Sequence, residues 1–109
     1  MSMHAEKYVP IGAHVTERLR REARYHLQYA ARLPETTRPA LCDALRPLGR
    51  GIGNHRLDAG QVIPLARQFA DTLPKDSLGY MHLCLGLHAL VALRDLEGAM
   101  RAGTVPVPW

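Results

Sequence analysis

The chain has 109 residues, 47% of them hydrophobic and 22% charged, which is the balance of a folded domain and enough chain for one core but not two. Aromatic residues make up only 6%, so the core must be filled by Leu, Ala, Val and Met, a composition that favours helices over sheets. The formal charge of +4 is uneven: residues 1–56 hold ten Lys/Arg against five Asp/Glu, and the remainder hold four against five.

Twelve of the cations are Arg. Guanidinium forks suit carboxylate and phosphate recognition better than ammonium groups do, although a GC-rich coding sequence produces the same bias. Residues 1–10 show no apolar stretch after a basic start, so no signal peptide is read there and a cytoplasmic location is expected. The longest apolar run, Leu78 to Leu93, falls short of the roughly 20 residues that span a bilayer, so no membrane partner is expected.

In chain order, residues 1–12 contain Pro10 and Gly12 without a helical period, and an extended arm is expected there. The single helical domain is expected over residues 13–103. Its first helix covers about Thr16 to Leu33, with Val15, Leu19, Ala23, His26, Ala30 and Leu33 on one stripe and Pro34 as the stop. A second, shorter helix is predicted from Pro39 to about Arg46, followed by a loop through the prolines and glycines of residues 47–56.

The third helix shows Ile63, Ala66, Phe69, Ala70 and Leu73 at helical spacing. Asp58 and Gln61 form a capping-box pattern that places its start just ahead of Pro64, with a distortion there. The fourth helix opens after Asp76 or Ser77 and runs to about Ala102, with Gly103 as the stop. From Leu78 to Leu93 it is apolar on nearly every side, the mark of a helix enclosed by others. Gly79 and Gly86 on one of its faces invite close approach by a neighbour. The final residues, 104–109, alternate prolines and are expected to form an extended tail ending in Trp109. The fold class is therefore all-α, a small bundle of about four helices around a buried C-terminal helix.

Six histidines raise the question of a metal. Cys84 and His88 lie four apart on one helical face, a usable ligand spacing, but neither HExxH nor paired CxxC supplies further ligands. No cofactor is assigned, and metal binding at Cys84 and His88 is the third of three readings. Cys42 and Cys84 are expected to be reduced and buried. Candidate nucleophile and base pairs, such as Cys42 with His26 or His88 with Asp95, are scattered and carried by no motif, so the expectation is a noncatalytic protein. The glycines of residues 49–54, with Arg46, Arg50 and Arg56, have the composition of a phosphate-cradling loop, yet no strand precedes them and an ordinary interhelical connection explains them.

The basic side of the first helix is the stronger functional signal. Arg18, Arg20, Arg21, Arg24 and Arg32 are expected on its solvent half, with Glu17 pairing Arg21 and Glu22 pairing Arg18. Together with Arg50, Arg56 and the apolar anchor Trp109, they form the expected partner-binding set. A solvated helix face is the plain alternative. The reading taken from the sequence is a regulator or adaptor that binds an acidic protein surface, and that has the means to form a homodimer. A nucleic-acid-binding protein using the same arginines is the runner-up.

Overall fold

The computed structural model describes the backbone of residues 2–33 and 39–103, and the side chains of residues 14–33 and 43–103. The described residues form four helices and no strand: α1 (Ser2–Ala30), α2 (Pro39–Gly53), α3 (Ala59–Asp71) and α4 (Leu78–Ala102). Helix α1 packs on both α2 and α4, α4 packs on α1 and α3, and α2 and α3 touch only sparingly. The core lies between these faces. Leu27, Leu45, Ile52, Val62, Leu83, Leu90 and Leu93 are its largest fully buried side chains, and each such burial stabilises the fold by about 1.5–3 kcal/mol.

The boundaries of α3 and α4 follow their capping residues. Asp58 stands at the N-cap of α3 in an extended conformation, and its backbone N–H donates to Gln61 Oε1 at 2.9 Å. Helix α3 runs through Pro64, whose ring cannot bond the Gly60 carbonyl. At the head of α4, Tyr80 N–H donates to Ser77 Oγ at 3.1 Å. At its foot, Gly103 takes φ 70° and its N–H closes on the Met100 carbonyl at 3.2 Å, a left-handed cap that a side chain would strain.

Helices α1 and α2 differ from the sequence expectation at the segments rich in Pro and Gly. Residues 2–12 are helical, a continuation of α1, rather than an extended arm. Proline holds φ near the helical value at the cost of one backbone bond, and Ala5, Glu6 and Lys7 favour helix ahead of it. Helix α2 likewise continues through Pro47, Gly49 and Gly51 to Gly53, so the expected loop over residues 47–56 shrinks to the turn after Gly53.

Packing explains why that segment is helical. Leu45, Leu48 and Ile52 share one buried face, and the glycines let α2 lie close to its neighbours. A Cβ on Gly49 would stand 3.0 Å from Gln28 Cγ and 3.4 Å from the Arg24 carbonyl oxygen of α1. His55, at φ 65°, then turns the chain so that Leu57 N–H reaches the Gly51 carbonyl at 3.0 Å.

The core face of α1 is wider than the stripe read from its periodicity. Ala23 and Ala30 are buried as expected, but so are Leu27 and Arg20, because α2 covers the helix from a second side. Helix α4 is buried along Gly79, Leu83, Gly86, Ala89, Leu90 and Leu93, and at Gly86 a Cβ would sit 3.4 Å from His26 Cβ. Its opposite face is open: Leu78, Met81 and Leu85 are exposed, so α4 is enclosed on one side and not all round. No helix among the described residues is long and apolar enough to cross a membrane. Pro34 and residues 104–109, with Trp109, lie outside the described residues.

Candidate functional site

The outward face of α1 presents His14, Arg18, Arg21, Tyr25 and Tyr29, all exposed, at spacings of three and four that keep them in one line along the helix, and Arg32 follows, exposed in the turn just beyond it. His14, Arg18, Arg21, Glu22 and Tyr25 surround a shallow, open concavity of about 470 Å³. The fold leaves this face free because α2 and α4 cover the two flanks of α1 and nothing else packs on it among the described residues.

Charge in the stripe is only partly compensated. Arg18 Nε lies 3.6 Å from Glu22 Oε1, the pairing expected from the sequence. Glu17 does not pair with Arg21. Its Oε2 instead meets His55 Nε2 at 3.0 Å, which ties the turn after α2 to α1. Solvent-exposed pairs of this kind contribute about 0–1 kcal/mol, so they shape the surface more than they hold the fold.

The expected basic residues separate into different roles. Arg18 and Arg21 line the concavity together. Arg24 bends toward α2, with its Nε 3.4 Å from Gln28 Oε1 and its Cδ against Gly53. Arg32, Arg46, Arg50 and Arg56 are exposed, but Arg46 and Arg50 belong to α2 and Arg56 to the turn beyond it. Residues 49–54, expected as an ordinary interhelical connection rather than a phosphate-cradling loop, offer no free amides for a phosphate through most of their length. Up to Gly53 these residues are helical, and helical N–H groups are bonded to carbonyls one turn back.

Arg20 is a further correction. It was expected on the partner-binding face and is instead 4% exposed. Its Nη1 donates to the Ile52 carbonyl at 3.2 Å and its Nη2 to Glu97 Oε2 at 2.6 Å. The Ile52 carbonyl is in the last turn of α2, where carbonyls lack intrahelical partners. One guanidinium thus caps α2 and joins α1 to α4.

Beside the stripe, at the border of α1 and α4, lies a cluster that periodicity alone did not disclose. His26 Nδ1 and His82 Nδ1 approach to 3.0 Å. The Tyr29 ring lies 4.4 Å from the His82 ring between centroids, and Tyr25 meets His26 edge-on at 5.1 Å. Burial pushes the His26 pKa below its usual value, the neighbouring His82 lowers it further, and Glu22 opposes both. In the sequence His26 shares the apolar stripe of α1, but nothing there announces His82 as its neighbour.

The Cys84 and His88 pair gains no further ligands: no group of three or more His, Cys, Asp or Glu able to hold a metal occurs among the described residues. His88 is exposed and Cys84, a free thiol, is half-buried. A hydrogen bond with Cys84 is the main cause that raises the Tyr80 pKa. The side chain of Cys42 lies outside the described set.

No protein-family model matches the chain, and comparison with curated proteins and with solved structures gives no match.

Proposed function

We propose that the protein is a noncatalytic regulator or adaptor that binds an acidic surface of another protein through the outward face of α1. The observation that carries this reading is the line of His14, Arg18, Arg21, Tyr25, Tyr29 and Arg32, in which two adjacent exposed tyrosine rings stand between Arg18 and Arg21 on one side and Arg32 on the other. Arg and Tyr are enriched at protein interfaces, where guanidinium groups take carboxylates in two-pronged hydrogen bonds and tyrosines supply apolar area at low entropic cost. The Tyr25 and Tyr29 rings lean on each other, with centroids 5.6 Å apart, and this contact restrains them before a partner arrives.

An acidic protein is preferred to nucleic acid because the concavity also contains the Glu22 carboxylate. A phosphodiester backbone following the stripe would meet a like charge there. A protein surface can set a donor against the same group.

The test is affinity capture from the cells of origin with the full chain and with an Arg18→Glu/Arg21→Glu variant. A partner retained by the first, lost by the second and bearing an acidic contact surface is the expected result. Retention of a short duplex DNA or RNA probe at low salt, lost on the same charge reversal, would replace this reading with nucleic-acid binding. A partner indifferent to both arginines would end it.

A further inference from the structure

Helix α2 carries cations that the α1 line does not use. Arg46 and Arg50 lie one turn apart and both are exposed. Gly49 and Gly53 mark where α2 touches α1, since a Cβ on the first would meet Gln28 and on the second Arg24. Leu45, Leu48 and Ile52 are buried to one side of that line of contact. At about 3.6 residues per turn, Arg46 and Arg50 fall on its other side, at the solvent edge of the α1–α2 seam, where the exposed Arg24 also emerges.

The two helices are antiparallel, with Arg24 against Gly53 and Gln28 against Gly49. The cations therefore follow one another along the seam: Arg24, then Arg50, then Arg46 with Arg32 beside it, an arginine about every 5 Å. Arg56 stands exposed in the turn at the Arg24 end. None of these five forms an ion pair among the described residues. Glu17 is taken by His55 and Glu22 by Arg18, and Asp43, the described carboxylate of α2, bonds no arginine. Like charges are thus held together without counter-ions, against their own repulsion, by the burial of Leu27, Leu45 and Ile52 beneath them.

The seam also lacks an apolar centre, since none of the exposed large hydrophobic side chains among the described residues belongs to α2. Protein interfaces need such a centre, whereas phosphate contacts need only charge and donors. We infer that the α1–α2 seam binds the phosphodiester backbone of a nucleic acid through Arg24, Arg46 and Arg50, with Arg32 and Arg56 at its ends. Two helices side by side are about 20 Å across, too broad for a major groove about 12 Å wide, so the contact is to the backbone and independent of base sequence. It is a separate face from the line of Arg18, Arg21, Tyr25 and Tyr29, and does not rest on the reading given to that line.

Fluorescence anisotropy of a labelled DNA duplex of about 20 base pairs tests the proposal. The full chain should bind at low salt, with log affinity falling against log salt at a slope of about −3 to −4 for four phosphate contacts. Arg46→Glu/Arg50→Glu should weaken binding roughly tenfold or more and reduce the slope by about two, and Arg46→Gln/Arg50→Gln should act in the same direction. Melting temperatures of both variants should equal or exceed the parent's, because repulsion is relieved. A duplex of unrelated sequence should bind equally. Arg18→Glu/Arg21→Glu should cost a few-fold at most, so failure here and failure of the α1 reading are told apart.

A chain that holds neither duplex DNA nor duplex RNA at low salt overturns the proposal. Equal losses in the two charge-reversal variants do so as well, because they report overall charge rather than the seam. Polyglutamate bound as tightly as the duplex, and lost with Arg46 and Arg50, would make the seam a site for acidic protein instead. Variants that melt below the parent would show that these arginines serve the fold.

Discussion

Arg20 and Glu97, 77 positions apart in the chain, meet at 2.6 Å across the α1–α4 interface. The same guanidinium holds the Ile52 carbonyl at the end of α2. Arg20→Met should therefore cost about 1–3 kcal/mol, because it leaves the Glu97 carboxylate without its guanidinium donor and the Ile52 carbonyl with only the long His55 N–H contact of 3.4 Å. Arg21→Met, on the exposed stripe, should stay within about 0.5 kcal/mol of the parent. Urea denaturation of the two variants measures both, and equal stabilities would show that Arg20 is not the clamp described.

The His26–His82 contact makes stability depend on pH. Burial, joined by His82 and opposed by Glu22, holds the His26 pKa below 6.5, so the unfolded chain takes up this proton at a higher pH than the folded one. The resulting stability is present above 6.5 and declines as pH falls through and below that value. Titration of His26 by NMR should give a midpoint below 6.5, and His82→Asn should raise it. A midpoint at or above that of a free imidazole would contradict the packing of this pair.

Two glycines should respond to alanine with opposite signs. At Gly51 a Cβ would stand 2.5 Å from Leu57 Cδ1 and 2.6 Å from Leu57 Cγ, so Gly51→Ala should destabilise by about 1–3 kcal/mol through overpacking. At Gly98, inside α4, a Cβ meets nothing within 4 Å, and Gly98→Ala should stabilise by about 0.5–1 kcal/mol through helix propensity. Thermal melts of both variants give the comparison, and a shift of the same sign at the two positions would refute the packing around Gly51.

The caps of α4 supply a fourth test. Ser77→Ala removes the acceptor of the Tyr80 N–H and should cost about 0.5–2 kcal/mol, whereas Ser77→Asp should retain most of the stability. Chemical denaturation distinguishes them, and an alanine variant equal to the parent would show that the cap contributes nothing.

The elements legible in the sequence are those where local chemistry and packing agree. Asp58 with Gln61, Ser77 and Gly103 each marked a helix end, and the coordinates place the ends there. Pro10, Pro47 and the glycines of residues 49–53 misled, because the same residues that break an isolated helix are tolerated when tertiary contacts favour it. In α2 the missing side chains are what let it approach Arg24 and Gln28.

At the candidate site, the exposure of Arg18, Arg21, Arg24 and Arg32 followed from periodicity, while the burial of Arg20 did not. Its partners Ile52 and Glu97 belong to other helices, and no local pattern announces a contact between residues so far apart. The His26–His82 pair was hidden for the same reason.

Because α1 is sandwiched between α2 and α4 while α2 and α3 hardly touch, no early piece of the chain has a complete interior. Without the fourth helix, the first two leave Ala23 and Leu27 open on one side. Only when the segment around Leu83 and Leu90 docks is that face of α1 closed, so the interior of α1 and that of α4 form in one step.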